Sequence, residues 1–190
     1  MSVKLIAVGD TGPGDGVSNM FERVIPALKD GDLRFAQCER LLTDKGFKMD
    51  YSTPLTRRVD PKHVKEYVTA GFDVVSLATN HAMDYGEEGV LDTMANFHKN
   101  NIAVIGTGKN ISEARKPAFF ERNGVKIAFL AYCSVITNGA SLPNGYWATD
   151  RSAGMAPLRA RTYYEPYDSQ PATPPQPFLV VGLEGLVDAV

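Results

Sequence analysis

Four short apolar runs constrain this chain most. Each is closed by polar or ionisable residues, and segments of helical periodicity lie between the first three and the fourth. Val3 to Val8 closes at Gly9-Asp10, and Asp32 to Cys38 at Glu39. Asp73 to Ala78 closes at Thr79-Asn80-His81, and Ile102 to Ile105 at Gly106-Thr107-Gly108. Runs this short, bounded by turn residues, read as buried strands. Met20, Phe21, Val24 and Leu28 fall at helical spacing over Asn19 to Leu28, with Ser18 as cap and Pro26 shortening or kinking the helix. Leu41 to Val59 is loop-like. Asp60-Pro61 opens a second helix with Asp as cap and Pro in the first turn. Its apolar face is Val64, Tyr67 and Val68, and Gly71 stops it. A third helix runs from Glu87 to Lys99 with Val90, Leu91, Met94 and Phe97 inward, its acids early and Lys99 late. Ala118 to Arg122 and Val125 to Tyr132 flank Asn123-Gly124, which predicts an antiparallel hairpin. Strands alternating with helices predict an α/β fold with a largely parallel sheet.

In such sheets ligands sit beyond the carboxyl ends of the strands. Asp10, Glu39 and Asn80-His81 all fall there. The block Asn80-His81-Ala82-Met83-Asp84-Tyr85-Gly86 is the densest. Asn80 offers an amide oxygen, His81 a base that titrates near neutrality, and Asp84 a carboxylate to orient and charge-stabilise that base. Asp10 and Glu39 add carboxylate oxygens from separate strands. Oxygen and nitrogen donors on separate rigid elements suit a divalent ion of the Mn, Fe or Zn kind better than Ca. His81 fits a general acid better than a ligand. The bland alternatives are a turn for the Asn-His block, a cap or turn for Asp10, and a solvated strand end for Glu39 beside Arg40. Each is the commoner reading of its residue alone. The three together carry the metal-assisted hydrolytic reading.

Other motifs are weaker. Gly9-Asp10-Thr11-Gly12-Pro13-Gly14-Asp15-Gly16 lacks the Lys of a phosphate loop, and Pro13 interrupts its backbone donors. His63 and His98 lie on helices without acidic company. Arg151, Arg159, Arg161, Tyr163, Tyr164 and Tyr167 read either as a surface for an anionic or polymeric small-molecule ligand or as a solvated loop.

Composition excludes several classes. A net charge of −2 gives no case for nucleic acid as a partner. Cys38 and Cys133 both sit in apolar runs and read as buried free thiols. The first apolar run is too short for a signal peptide and no run approaches a membrane span, so a cytoplasmic location is expected. From Ser134 to Gln176 periodicity fades, and this stretch is expected to be irregular and the least ordered. The organisation expected is residues 1-133 as the core of one domain, 134-177 as an excursion of it, and 178-190 as an atypical end, strand or helix.

Ser76-Leu77-Ala78-Thr79-Asn80-His81, Asp84-Tyr85-Gly86, Gly89 and Thr93 together resemble the bacterial capsule synthesis protein family of the poly-γ-glutamate CapA type. Gly9-Asp10 fits its first motif. Cys38-Glu39-Arg40-Leu41-Leu42 looks like its Asn-Leu-Glu segment. Ile102 to Gly108, Glu113 to Pro117 and Asn123 to Leu130 fit its later blocks. The resemblance implies a calcineurin-like metallophosphoesterase fold, a layered β core flanked by helices. It implies Asp10, Glu39 and Asn80 on the metal side and His81 with Asp84 as an acid pair. The superfamily's first motif usually carries a His two residues after the Asp, and that place is Gly12 here. The only histidines are His63, His81 and His98. The site, and the fold at its C-terminal end, are therefore expected to be incomplete. Two functions follow: a metal-dependent hydrolase of capsule synthesis, or a non-catalytic accessory protein that binds the polymer.

Overall fold

Val74 and Val75 are both fully buried although adjacent, which requires cover on both faces of their strand. The computed structural model, which describes residues 1–14, 17–49, 58–134 and 146–158 and the backbone of 160–165 and 176–181, shows what supplies that cover. The first strand, β1 (Leu5–Thr11), is followed by a single helical turn, α1 (Ile25–Leu28), and by β2 (Leu33–Cys38). A 3-10 turn at Pro61–His63 leads into α2 (Val64–Ala70), then β3 (Val74–Ser76), α3 (Gly86–His98) and β4 (Ala103–Ile105). The four strands form one sheet in the order β1-β2-β3-β4, with every pair parallel. The predicted α/β fold with a parallel sheet is therefore what forms. Beyond it come β5 (Thr107–Gly108), α4 (Ile111–Ala114), β6 (Ala118–Arg122), β7 (Val125–Phe129) and β8 (Gly154–Met155).

One face of the sheet meets the helices. Ala36, Cys38 and Val75 join Leu28, Tyr67, Val90 and Phe97 in the main core. Tyr67 is fully buried and its ring meets Phe21, Phe72 and Phe97 at centroid distances of 5.2, 5.8 and 5.1 Å. The opposite face meets the β6–β7 hairpin. There Phe35 of β2 stacks on Phe129 at 6.0 Å, and Phe120 meets Phe129 edge-on at 5.7 Å. Asn123 and Gly124 both adopt positive φ, as the predicted two-residue turn requires. Arg122 ties the hairpin to the sheet through Asp73 Oδ1 at 3.3 Å and the Asp32 carbonyl at 3.2 Å.

Several boundaries differ from expectation. The first helix does not run from Asn19. That residue has φ 59°, outside the helical region, and the regular turn starts only at Ile25 with Pro26 just inside it. Val68 is 45% exposed and not part of the buried face of α2. Asp60 caps as expected, through Lys62 N, and Gly71 ends α2 in the left-handed conformation. Thr107-Gly108 is not a bare turn but pairs antiparallel with Gly154-Met155. Those partners lie in the stretch expected to be irregular, yet Tyr146 and Met155 are buried in the core. Both cysteines are buried and neither is in a disulfide. The remainder of that stretch, 135–145, 159 and 166–175, and the end at 182–190 lie outside the described residues.

Compactness divides the chain into Met1–Ala156 and Pro157–Val190. The second unit contains a two-stranded antiparallel ladder, β9 (Ala160–Glu165) with β10 (Gln176–Val181). The strand β10 covers only the first four residues of the end for which strand or helix was expected, and 182–190 lie outside the described residues. Among the described residues no helix is long and apolar enough to cross a membrane.

Phe97→Ala is expected to destabilise the protein by about 3–5 kcal/mol, the range for deleting a fully buried aromatic. Phe119→Ala, on the exposed face of the hairpin, should stay within about 0.5 kcal/mol of the parent. Urea unfolding midpoints of the two variants check this contrast.

Candidate active site

Parallel register carries the ends of β1, β2 and β3 to one edge. Asp10 pairs with Gln37, Thr11 with Cys38, and Gln37 with Ser76, while Glu39 N donates to the Thr11 carbonyl at 2.9 Å. Asp10 and Glu39 thus lie at the same edge, on adjacent strands, with Asn80 and His81 on the loop after β3. Asp10 is exposed, and the Glu39 side chain is 38% exposed.

The direction of Asp10 depends on an irregularity. Ile6 and Val8 pack against the core on the helical side. Strict alternation would put Asp10 on that side too. The register shifts between Val8 and Asp10, so Gly9 is an extra residue and the phase is reversed beyond it. Thr11 then joins Cys38 on the helical face, where Tyr67 Oη lies 2.9 Å from Thr11 Oγ1 and donates to Cys38 Sγ at 3.3 Å. Asp10 falls with Gln37 on the hairpin face. Sequence periodicity ended the strand before Asp10 and missed this bulge. Its only signal is the Gly itself, inside a strand pattern.

His81 is set by a local turn. Ala82 and Met83 are buried anchors, and Asp84 N bonds to the His81 carbonyl at 3.2 Å. His81 Nδ1 lies 2.7 Å from Oδ2 of Asp84, whose side chain is 2% exposed. Nε2 lies 3.9 Å from Glu39 Oε1. The pairing expected of His81 and Asp84 is present, and it also turns the imidazole toward a second predicted residue. A neighbouring loop supports this turn: Met49 N donates to the Asp84 carbonyl at 2.9 Å, and Lys45 and Thr43 both hold Asp92 of α3.

The donor set fits one divalent ion in kind: carboxylates from Asp10 and Glu39 and an amide oxygen from Asn80. Among the described residues no three of His, Cys, Asp and Glu gather as a metal cluster, so Asp10, Glu39 and His81 do not form one by themselves. A Cβ at Gly12 would lie 2.8 Å from Arg40 Cγ, so the stem of Arg40 fills the space a side chain there would need. His98, exposed at the last turn of α3, is not at this edge. A separate cleft of ≈190 Å³ between Asn19, Phe21, Glu22, Ile25, Glu66 and Thr69 shares no residue with the set.

Two buried polar atoms here went unnoticed in the sequence. Gln37 Nε2 and Thr107 Oγ1 have no hydrogen-bond partner among the described residues. Leaving such a group unpaired costs about 1–3 kcal/mol, which calls for an explanation. Gln37 carried no signal, since a polar residue in an alternating strand reads as solvent-facing.

Comparison with known proteins places the chain. It matches the family described as bacterial capsule synthesis protein PGA_cap over residues 4–170. It is 30% identical over 125 residues to the PGA biosynthesis protein CapA of Bacillus subtilis, covering 65% of this chain and 33% of that protein. It is 31% identical over 127 residues to the capsule biosynthesis protein CapA of Bacillus anthracis, covering 66% and 31%. An uncharacterized protein, y4uA of Sinorhizobium fredii, is 24% identical over 143 residues, covering 70% and 31%. The chain spans about a third of the length of these curated relatives.

Burial pushes the Cys38 thiol up from the ordinary 9.0 to about 12. Between those values the unfolded chain has lost the proton that the folded chain keeps. Stability from this group is therefore whole below pH 9 and falls as pH rises toward 12, by about 1.4 kcal/mol per pH unit. Urea unfolding at pH 7 and pH 10.5 should show a steeper loss for the parent than for Cys38→Ala. Equal slopes would contradict the assignment.

Proposed function

The chain belongs to the bacterial capsule synthesis protein family, and on that footing we propose that it acts in making a poly-γ-glutamate-type capsule polymer through a metallophosphoesterase-like hydrolytic site. The observation that carries the reading is the Asp84–His81 pair at the carboxyl edge of the sheet, with Glu39 3.9 Å from the far nitrogen. Asp84 is buried, so it holds the ring in one orientation with Nδ1–H committed to the carboxylate. Nε2 is then the nitrogen that carries a proton to a leaving-group oxygen. Glu39 stabilises the imidazolium when that proton is present. Asp10, Glu39 and Asn80 are the residues that would hold a single ion of the Mn, Fe or Zn type. Such an ion, when bound, supplies polarisation of the ester oxygens and a more acidic water.

One observation favours a second reading. Arg40 occupies the space beside Gly12, and a site limited to one ion loses much of the charge stabilisation that such reactions depend on. On this reading the protein binds the anionic polymer without turning it over.

Metal analysis of the purified chain and turnover of a phosphodiester model substrate separate the two. We expect about one Mn²⁺ per chain, consistent with the single donor set. We expect slow metal-dependent turnover that falls by about 100-fold or more in His81→Ala. Binding of Mn²⁺ without any turnover supports the accessory reading. Absence of Mn²⁺ binding, in a folded chain, sinks the hydrolytic one.

A further inference from the structure

Asp10, Gln37 and Ser76 are paired across β1, β2 and β3, so their side chains form a row on one face of the sheet. That face is fixed by contacts on both sides of the row. Phe35, two residues before Gln37, stacks on the hairpin at Phe129, whereas Cys38 points to Tyr67 among the helices. Gln37 therefore lies between the sheet and the hairpin layer, next to Asp10. Ser76 Oγ is already engaged, accepting from Ala78 N at 3.2 Å. The Gln37 backbone carbonyl is engaged too, accepting from Thr11 Oγ1 at 2.7 Å. The buried Nε2 of Gln37 is the donor in this row without an acceptor among the described residues.

We propose that Gln37 is a positioning residue for the cation site: its Nε2–H donates to one carboxylate oxygen of Asp10 when the other oxygen holds a divalent ion. The inference rests on the metal-site reading above. A carboxylate has lone pairs to spare after binding a cation, and metal-binding carboxylates are themselves held by hydrogen bonds from a surrounding shell. Asp10 is exposed, so its side chain is free to take up that orientation, while Gln37 is fixed in the strand. The Gly9 bulge is what puts the two on one face. Glu39 follows the end of β2 at Cys38 and lies outside this row.

The test uses the full chain and Mn²⁺ or Zn²⁺ alone as probe. Gln37→Met keeps the side-chain length and removes the donor. We expect it to weaken Mn²⁺ binding by about 10–100-fold, the usual effect of removing such a supporting bond. Asp10→Ala should weaken binding at least as much, and the double variant no further than Asp10→Ala. A second measurement needs no variant: in ¹⁵N-labelled protein the Gln37 side-chain amide should shift and its hydrogen exchange should slow on adding Zn²⁺. If Mn²⁺ binds the parent, Asp10→Ala abolishes it and Gln37→Met matches the parent, this inference is overturned and the metal-site reading stands. An unshifted Gln37 amide at saturating Zn²⁺ overturns it in the same way, even if Gln37→Met fails to fold. If the folded parent binds neither ion, both fall together.

Discussion

The anchoring of the strand ends to Tyr67 is the constraint on which the rest depends. A single phenol, buried among Phe21, Phe72 and Phe97, reaches across the helical layer to touch Thr11 and Cys38. Those are the last residues of two adjacent strands. Fixing them fixes the phase of the residues just before and after. Asp10 and Gln37 are thereby turned to the hairpin face, and Glu39 leaves the strand end from a set position. The aromatic cluster is thus a piece of apolar packing with a polar tip, and the tip specifies direction where packing alone specifies only depth.

The site itself combines rigid and local elements. Asp10 and Glu39 are positioned by the sheet, whose pairing is long-range. His81 and Asp84 are positioned by one turn whose buried Ala82 and Met83 hold it against the core. The geometry of the second pair survives small shifts of the sheet, since both partners move together. The 3.9 Å approach of His81 to Glu39 is where the two kinds of positioning meet. Arg40 sets the limit on the other side, its stem lying over Gly12.

What could be read from the sequence was what is local or strongly periodic. The strand cores around Ala36, Val75 and Val104 stood out as apolar runs, and Asn123-Gly124 named its own turn. The His81–Asp84 pair was legible because only two residues of turn, Ala82 and Met83, separate its members. Asn19 escaped because nothing in its neighbours announces a positive φ, so the pattern from Met20 to Leu28 promised a longer helix than forms. The pairing of Thr107-Gly108 with Gly154-Met155 escaped because two-residue ladders between distant segments leave no period. Gln37 escaped because its meaning lies in its neighbours across the sheet, Asp10 and Ser76, and not in its own strand.

The single extra residue at Gly9 has a consequence for how such a chain tolerates change in length. A substitution there meets open space among the described residues, since a Cβ would have none of their heavy atoms within 4 Å beyond its own chain neighbours. Loss of the residue is a different matter. It would restore plain alternation along β1 and rotate Asp10 toward the apolar layer occupied by Val8 and Tyr67, where an unpaired carboxylate is costly to bury. The backbone there is thus permissive to what the residue is and strict about whether it is present. For the edge of this sheet, counting residues matters more than choosing them.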